Sequence, residues 1–165
     1  FLNQGIISSL IGSDINKEFI EIAEKNLALL SHKGIERRIK ELKALVQQYG
    51  KQSHKEALVS AERLKRLLSH QIQTETFQAD IYELKAIHFN PDIIMADIPY
   101  GKMVNWEGTK EGLDSMLDSL YNLCQKDTII CLCMSKKQKV TNKSFKILEK
   151  QKVGKRRFVI LKKHS

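Results

Sequence analysis

The chain of 165 residues has 42% hydrophobic and 28% charged side chains, enough for one domain with a sizeable core and too little for two ordinary ones. No apolar run reaches the roughly 18 residues of a membrane span. Phe1-Leu2-Asn3-Gln4 lacks the basic start of a signal peptide. Cys124, Cys131 and Cys133 are an odd count with no second ligand pair, which excludes a disulfide scaffold or zinc ribbon; they read as reduced core residues of a cytoplasmic protein. The net charge of +9 is uneven: residues 31–72 hold ten basic and four acidic side chains, residues 134–165 twelve and one, and the remainder is acidic. Either basic block alone reads as a solvated helix face. Two blocks flanking an acidic body point to a polyanion partner, because neutralising phosphates releases counterions.

Residues 1–9 read as the end of a helix, and Leu10–Asp14 as a short strand. From Lys17 the residues Phe19, Ile22, Ala23, Leu27 and Leu30 share one helical face, with Gly34 as the stop. Ile35, Ile39, Leu42, Val46 and Tyr49 step by four and three and predict a second helix, ended by Gly50. Ser53 and Glu56 have capping-box spacing, and Leu58, Ala61, Leu64 and Leu68 continue a third helix. Together these form a helical hairpin inserted at about 32–71, with most of the first basic block on its outer faces.

The period then changes to two. Residues 72–79 read as a strand ending at Asp80, and 92–97 as a buried parallel strand ending at Asp97. A helix over 110–125 turns Leu113, Met116, Leu117 and Leu120 inward, and Thr128–Met134 is a further apolar strand. Residues 144–150 and 156–162 form a closing hairpin around Gly154, and the Lys-rich stretch 136–143 is the nearest thing to a flexible loop. Strands alternating with helices define an α/β fold, mostly parallel with a C-terminal antiparallel hairpin. In such sheets ligands bind beyond the carboxyl ends of the strands, where Asp14, Asp80 and Asp97 stand.

The order and spacing of these acids, with Asp97-Ile98-Pro99-Tyr100, resemble the class I, S-adenosylmethionine-dependent methyltransferases. Lys25-Asn26-Leu27-Ala28-Leu29-Leu30-Ser31, Asp97-Ile98-Pro99-Tyr100-Gly101 and Asn105-Trp106-Glu107-Gly108 are similar to the avilamycin-resistance type of ribosomal RNA methyltransferase, over about residues 5–162. The resemblance implies a Rossmann-like sheet and a single methyltransferase domain over residues 1–165. It also implies that the first strand and Gly-rich loop, which hold the methionine part of the cofactor, precede Phe1. No G-x-G pattern occurs in the chain, so the domain is expected to be N-terminally incomplete and to bind cofactor weakly or not at all as it stands.

The same resemblance assigns roles. Asp14 accepts hydrogen bonds from the ribose hydroxyls, with Ile15 on the adenine; Asp80 accepts one from the adenine amino group, with Ile81 on the other face. Each acid also has a plain reading, Asp14 as a helix cap and Asp80 as a turn residue. Asp97 and the Ile98 carbonyl accept from the N–H groups of a guanine base, Pro99 fixes the backbone, and Tyr100 stacks on the flipped base. Ile98 stands where the wider amino-methyltransferase pattern often has a first proline, and a charged Asp97 accepts a ring N1–H as readily as an exocyclic one. Gly101, Trp106, Glu107, Lys136 and Lys137 fall on the substrate side. The expected partner is ribosomal RNA, with no membrane, no metal and a monomeric chain. His32, His54, His70, His88 and His164 lack partners at ligand spacing and read as surface residues. A non-catalytic RNA-binding module of the same fold has no reason to keep Asp97, Pro99 and Tyr100 together. A DNA adenine amino-methyltransferase is disfavoured by the helical hairpin and by the lack of a DNA-recognition domain.

Overall fold

Alternating periods of two and 3.6 in the sequence become, among the described residues, six strands and four α-helices. The structure is a computed structural model, and it describes residues 6–84, 90–99 and 112–164. Two compact units divide the chain between Gln78 and Ala79.

In the first unit, β1 (Ser9–Asp14) pairs in parallel with β2 (Gln73–Gln78), Ser9 opposite Gln73 and Asp14 opposite Gln78. Ile6 and Ile7 are not helical, so the helix end expected there is replaced by the approach to β1; residues 1–5 lie outside the described residues. The first helix, α1 (Lys17–Leu27), is capped by the Asn16 side chain, which accepts from the Glu18 N–H at 2.8 Å. Its apolar stripe is largely open, with Phe19 56% and Ile22 53% exposed.

Gly34 does not stop this helix. The helix gives way to a short 3-10 turn at Ala28–Leu30, and Gly34 lies in the first turn of α2 (His32–Tyr49). Ser31 caps α2 by accepting from the Gly34 N–H at 3.0 Å. A Cβ at Gly34 would collide with the Ala28 carbonyl, so the glycine permits a close backbone approach. Gly50 ends α2 in the left-handed conformation, φ 62°. That tight turn lets α3 (Gln52–Leu67) begin before the expected capping box: Lys51 is the N-cap, and its carbonyl accepts from His54 and Lys55. Ile35, Leu42, Ala61 and Leu68 are buried between the two helices, each large side chain stabilising the hairpin by about 1.5–3 kcal/mol. Tyr49 stays 54% exposed, edge-on to His54. His54 and His70 are half-buried rather than on the surface, lying against the Leu45 and Ile7 carbonyls at 3.4 and 2.7 Å.

The second unit is a four-stranded sheet, β3 (Ile93–Asp97), β4 (Ile129–Ser135), β6 (Arg156–Lys163) and β5 (Phe145–Val153) in spatial order, with β3 parallel to β4 and the rest antiparallel. One face is covered by α4 (Leu113–Tyr121). Met116, Leu117 and Leu120 meet Ile130, Leu132, Met134, Val159 and Leu161 in a core that excludes water. The Lys163 ammonium closes the C-terminal end of α4: it donates to the Tyr121 and Cys124 carbonyls and lies 3.7 Å above the Tyr121 ring. β3 is not fully buried as expected. It has one neighbour among the described residues, and Ile93 and Met95 on its other face are 61% and 80% exposed. Cys124 is buried, which raises its thiol pKa; Cys131 and Cys133 are half-buried, and none of the three forms a disulfide.

Candidate active site

Each of the three strand-end acids has a distinct local setting. Asp14 closes β1, where one carboxylate oxygen accepts from the Asn16 N–H at 2.8 Å. Since Asn16 caps α1, Asp14 is not the helix cap, and its second oxygen takes no bond from a described residue. The Gln78 amide, at the end of β2, donates to the Ile15 carbonyl at 2.8 Å and braces the turn; the Ile15 side chain is 39% exposed.

Asp80 opens a turn in the second unit. Its carboxylate accepts from the Tyr82 N–H at 2.9 Å and its carbonyl from the Glu83 N–H at 3.0 Å, so the turn role is real. Ile81 is half-buried and packs against the core of this unit together with Tyr82. The Tyr82 hydroxyl accepts from the Gly112 N–H at 3.1 Å, which holds the start of α4.

Asp97 ends β3 opposite Cys133. Its carboxylate is exposed and takes no hydrogen bond from a described residue. The strand ends here for a chemical reason. The Ile98 N–H donates to the Cys133 carbonyl at 3.0 Å as the last rung, and Pro99 has no N–H to continue. This rung also explains why Ile98 stands where a proline is often found: proline would lose the bond, and the Ile98 side chain, 3% exposed, belongs to the core.

The Pro99 carbonyl is held from the turn that follows β4. Gln138 donates its amide N–H to the Pro99 carbonyl at 3.0 Å, while its amide oxygen accepts from the Ser135 N–H at 2.8 Å. The Gln138 N–H closes the turn onto the Ser135 carbonyl at 3.1 Å, and the Arg157 guanidinium donates to the Gln138 carbonyl at 3.2 Å. Lys136 and Lys137 are exposed in this same turn. The Lys-rich stretch is therefore pinned, not loose. At its far end the Asp114 carboxylate accepts from the Thr141 N–H and hydroxyl and from the Asn142 N–H, and the Asn142 amide donates to Asp118 at 2.7 Å.

The second unit thus contains Asp80, Ile81, Asp97, Ile98, Pro99, Lys136 and Lys137, and the first contains Asp14 and Ile15. Tyr100, Gly101, Trp106 and Glu107 lie outside the described residues. Gln138, Arg157 and Asp114 support the motif and were not singled out from sequence. A glutamine within a lysine run has no local signal, because its partner is 39 residues away.

The family model of the rRNA methyltransferase AviRa matches residues 1–156. A Streptomyces viridochromogenes protein described as 23S rRNA (guanine(2535)-N(1))-methyltransferase is 29% identical over 159 residues, covering 90% of this chain and 63% of that protein. The solved structure of rRNA methyltransferase aviRa from the same organism superposes with a TM-score of 0.80 at 30% identity, over 94% of this chain and 66% of that one. A putative methylase from Haemophilus influenzae, 12% identical with a TM-score of 0.51 over 96% of this chain and 74% of its own, shares the fold alone. The chain spans slightly less than two thirds of the length of its Streptomyces relatives. The Rossmann-like α/β reading and the resemblance carried by the strand-end acids are both upheld, and the chain belongs to the AviRa rRNA methyltransferase family.

Proposed function

We propose that the protein methylates ribosomal RNA in the cytoplasm, transferring a methyl group from S-adenosylmethionine to N1 of a guanine base in 23S rRNA. The carrying observation is the Asp97 carboxylate at the end of β3, exposed and taking no bond from a described residue, beside an Ile98–Pro99 backbone held by Cys133 and Gln138, in a chain of this family. Residues 1–165 act as one methyltransferase domain with a helical insertion at about 32–71, and the family match runs through both units.

Guanine N1 is a weak nucleophile while it carries its proton. Asp97 accepts the N1–H bond, and the Ile98 carbonyl accepts a neighbouring N–H of the base, so the amide edge of guanine is read by two acceptors. As the N1–methyl bond forms, the N1 proton passes to the Asp97 carboxylate, which acts as general base. A cytosine edge presents no ring N–H there and leaves Asp97 unpaired, a mismatch that works against binding. Tyr100 stacks on the base, and Gly101, Trp106 and Glu107 flank it. Lys136 and Lys137 face RNA phosphates.

Each of two acids, taken by itself, offers an acceptor suited to the adenosine part of the cofactor. Asp14 and Asp80 each have one carboxylate oxygen engaged by a backbone N–H and a second that takes no bond from a described residue. Asp14 is assigned to the ribose hydroxyls with Ile15 on the adenine, and Asp80 to the adenine amino group with Ile81 beside it. When bound, S-adenosylmethionine supplies an electrophilic methyl group on a sulfonium.

The test is to incubate the full-length protein with 23S rRNA and labelled cofactor, digest the RNA to nucleosides and identify the labelled product by mass. N1-methylguanosine is the expected product. A methylated adenosine, an N2-methylguanosine or no incorporation would overturn the reading.

A further inference from the structure

A surface hollow of about 230 Å³ opens in the second unit beside the turn that holds Pro99. Met134 and Val159, both buried, form its apolar floor, and Lys139, Lys150, Arg157 and Thr141 line it. The three cations come from three segments: the stretch after β4, β5 and β6. Sheet register brings them round one spot, because Arg157 pairs with Met134 and Lys150 with Val159. Among the described residues none of the three is paired with a carboxylate. The nearby acid, Asp114, is engaged by Thr141 and Asn142. Arg157 donates one N–H to the Gln138 carbonyl, and a guanidinium has five to give.

Three like charges around one small hollow repel one another, and an anion seated among them removes that repulsion. An arginine fork with two flexible ammonium groups matches the oxygens of a phosphate. The apolar floor suits the sugar attached to it. The hollow also lies at the carboxyl end of β4, the side of the sheet on which ligands bind in open α/β folds.

We propose that Lys139, Lys150 and Arg157 form a grip for one backbone phosphate of the RNA substrate. The bonds from Arg157 to Gln138 and from Gln138 to Pro99 then set that phosphate in register with Asp97. The assignment rests on the RNA reading above. Arg157 is a positioning residue as well as a phosphate ligand, since it touches Gln138 and not the base.

Two measurements test this. The first is affinity for a 23S rRNA fragment between 50 and 200 mM salt (roughly the range over which phosphate contacts dominate), for the wild type, a Lys139→Gln/Lys150→Gln variant, and a Lys17→Gln/Lys126→Gln control with the same charge change outside the basic blocks. The site variant should bind about tenfold more weakly, as expected when charge-assisted bonds are lost. The slope of log affinity against log salt should shrink by about 0.7–0.9 per lost phosphate contact, with the control unchanged. The second is a titration with inorganic phosphate at constant ionic strength, followed by amide NMR. It should shift the signals of residues 139–141, 150 and 157 in the wild type and not in the site variant. Salt-dependent RNA binding with equal slopes for the wild type and the site variant overturns the grip while leaving the RNA reading intact. Phosphate shifts without salt-dependent RNA binding overturn the RNA reading and keep the anion site. Absence of phosphate shifts in the wild type overturns the site outright.

Discussion

Replacing Gln138 by alanine tests whether the bonds behind the motif govern catalysis. The change removes two side-chain hydrogen bonds, to the Pro99 carbonyl at 3.0 Å and from the Ser135 N–H at 2.8 Å. Both are half-buried, and each is worth about 0.5–1.5 kcal/mol, so stability should fall by roughly 1–2 kcal/mol with water replacing part of the loss. If about 1 kcal/mol of the Pro99 bond is felt in the transition state, the single-turnover rate falls about fivefold. Gln138→Glu keeps an acceptor for Ser135 but sets a carboxylate oxygen against the Pro99 carbonyl, a repulsion that should slow transfer at least as much as the alanine change. Ser119→Ala is the comparison, because that hydroxyl bonds Ser115 and Tyr82 within the same unit and touches nothing in the motif. Urea unfolding and single-turnover methyl transfer to rRNA, measured on the same samples, separate the effects. A Gln138→Ala protein that is less stable but transfers methyl at the wild-type rate per folded molecule would refute the positioning role.

Asp97→Ala should leave the melting temperature and cofactor affinity nearly unchanged, since the carboxylate has no described partner, and should abolish methyl transfer; a parallel fall in stability would instead mark a structural role. For Gly34→Ala, helix propensity alone forecasts a gain of about 1 kcal/mol, whereas collision with the Ala28 carbonyl forecasts a loss of about 1–3 kcal/mol; urea unfolding gives the sign directly. A hydrogen bond from Lys162 at 2.9 Å holds the Asp127 carboxyl below its ordinary value of 3.8. A depressed folded pKa stabilises above the unfolded value and loses that contribution as pH falls through the folded one. The small stability difference between wild type and Lys162→Met should therefore be present at neutral pH and vanish in acid, and a difference that persists at the lowest pH would contradict the assignment.

Much of the molecule was legible because its signals are local. Leu113, Met116, Leu117 and Leu120 repeat with the helical period, and all four are buried in the core beneath α4. Gly50 and Gly154 close their elements at positive φ, as their positions forecast. The α2–α3 hairpin followed from its spacing of apolar residues. The Asp-Ile-Pro motif was visible as an acid and a proline at the end of an apolar strand, the place where an α/β sheet presents ligands.

What the sequence did not reveal depends on partners far along the chain. Gly34 looked like a helix stop because a glycine after an apolar stripe often is one; only the approach of the Ala28 carbonyl explains it. Ser53 and Glu56 had capping spacing, but the tight Gly50 turn started α3 at Gln52 and left that box inside the helix. Ile98 departed from a common pattern for a reason held in Cys133, and Gln138 acquired its role from Pro99. Periodicity and capping are set by side chains within a turn or two, so the sequence by itself determined the elements and the acids at their ends. Hydrogen bonds between strands and loops that meet only on folding decided how that motif is held, and which cations gather beside it.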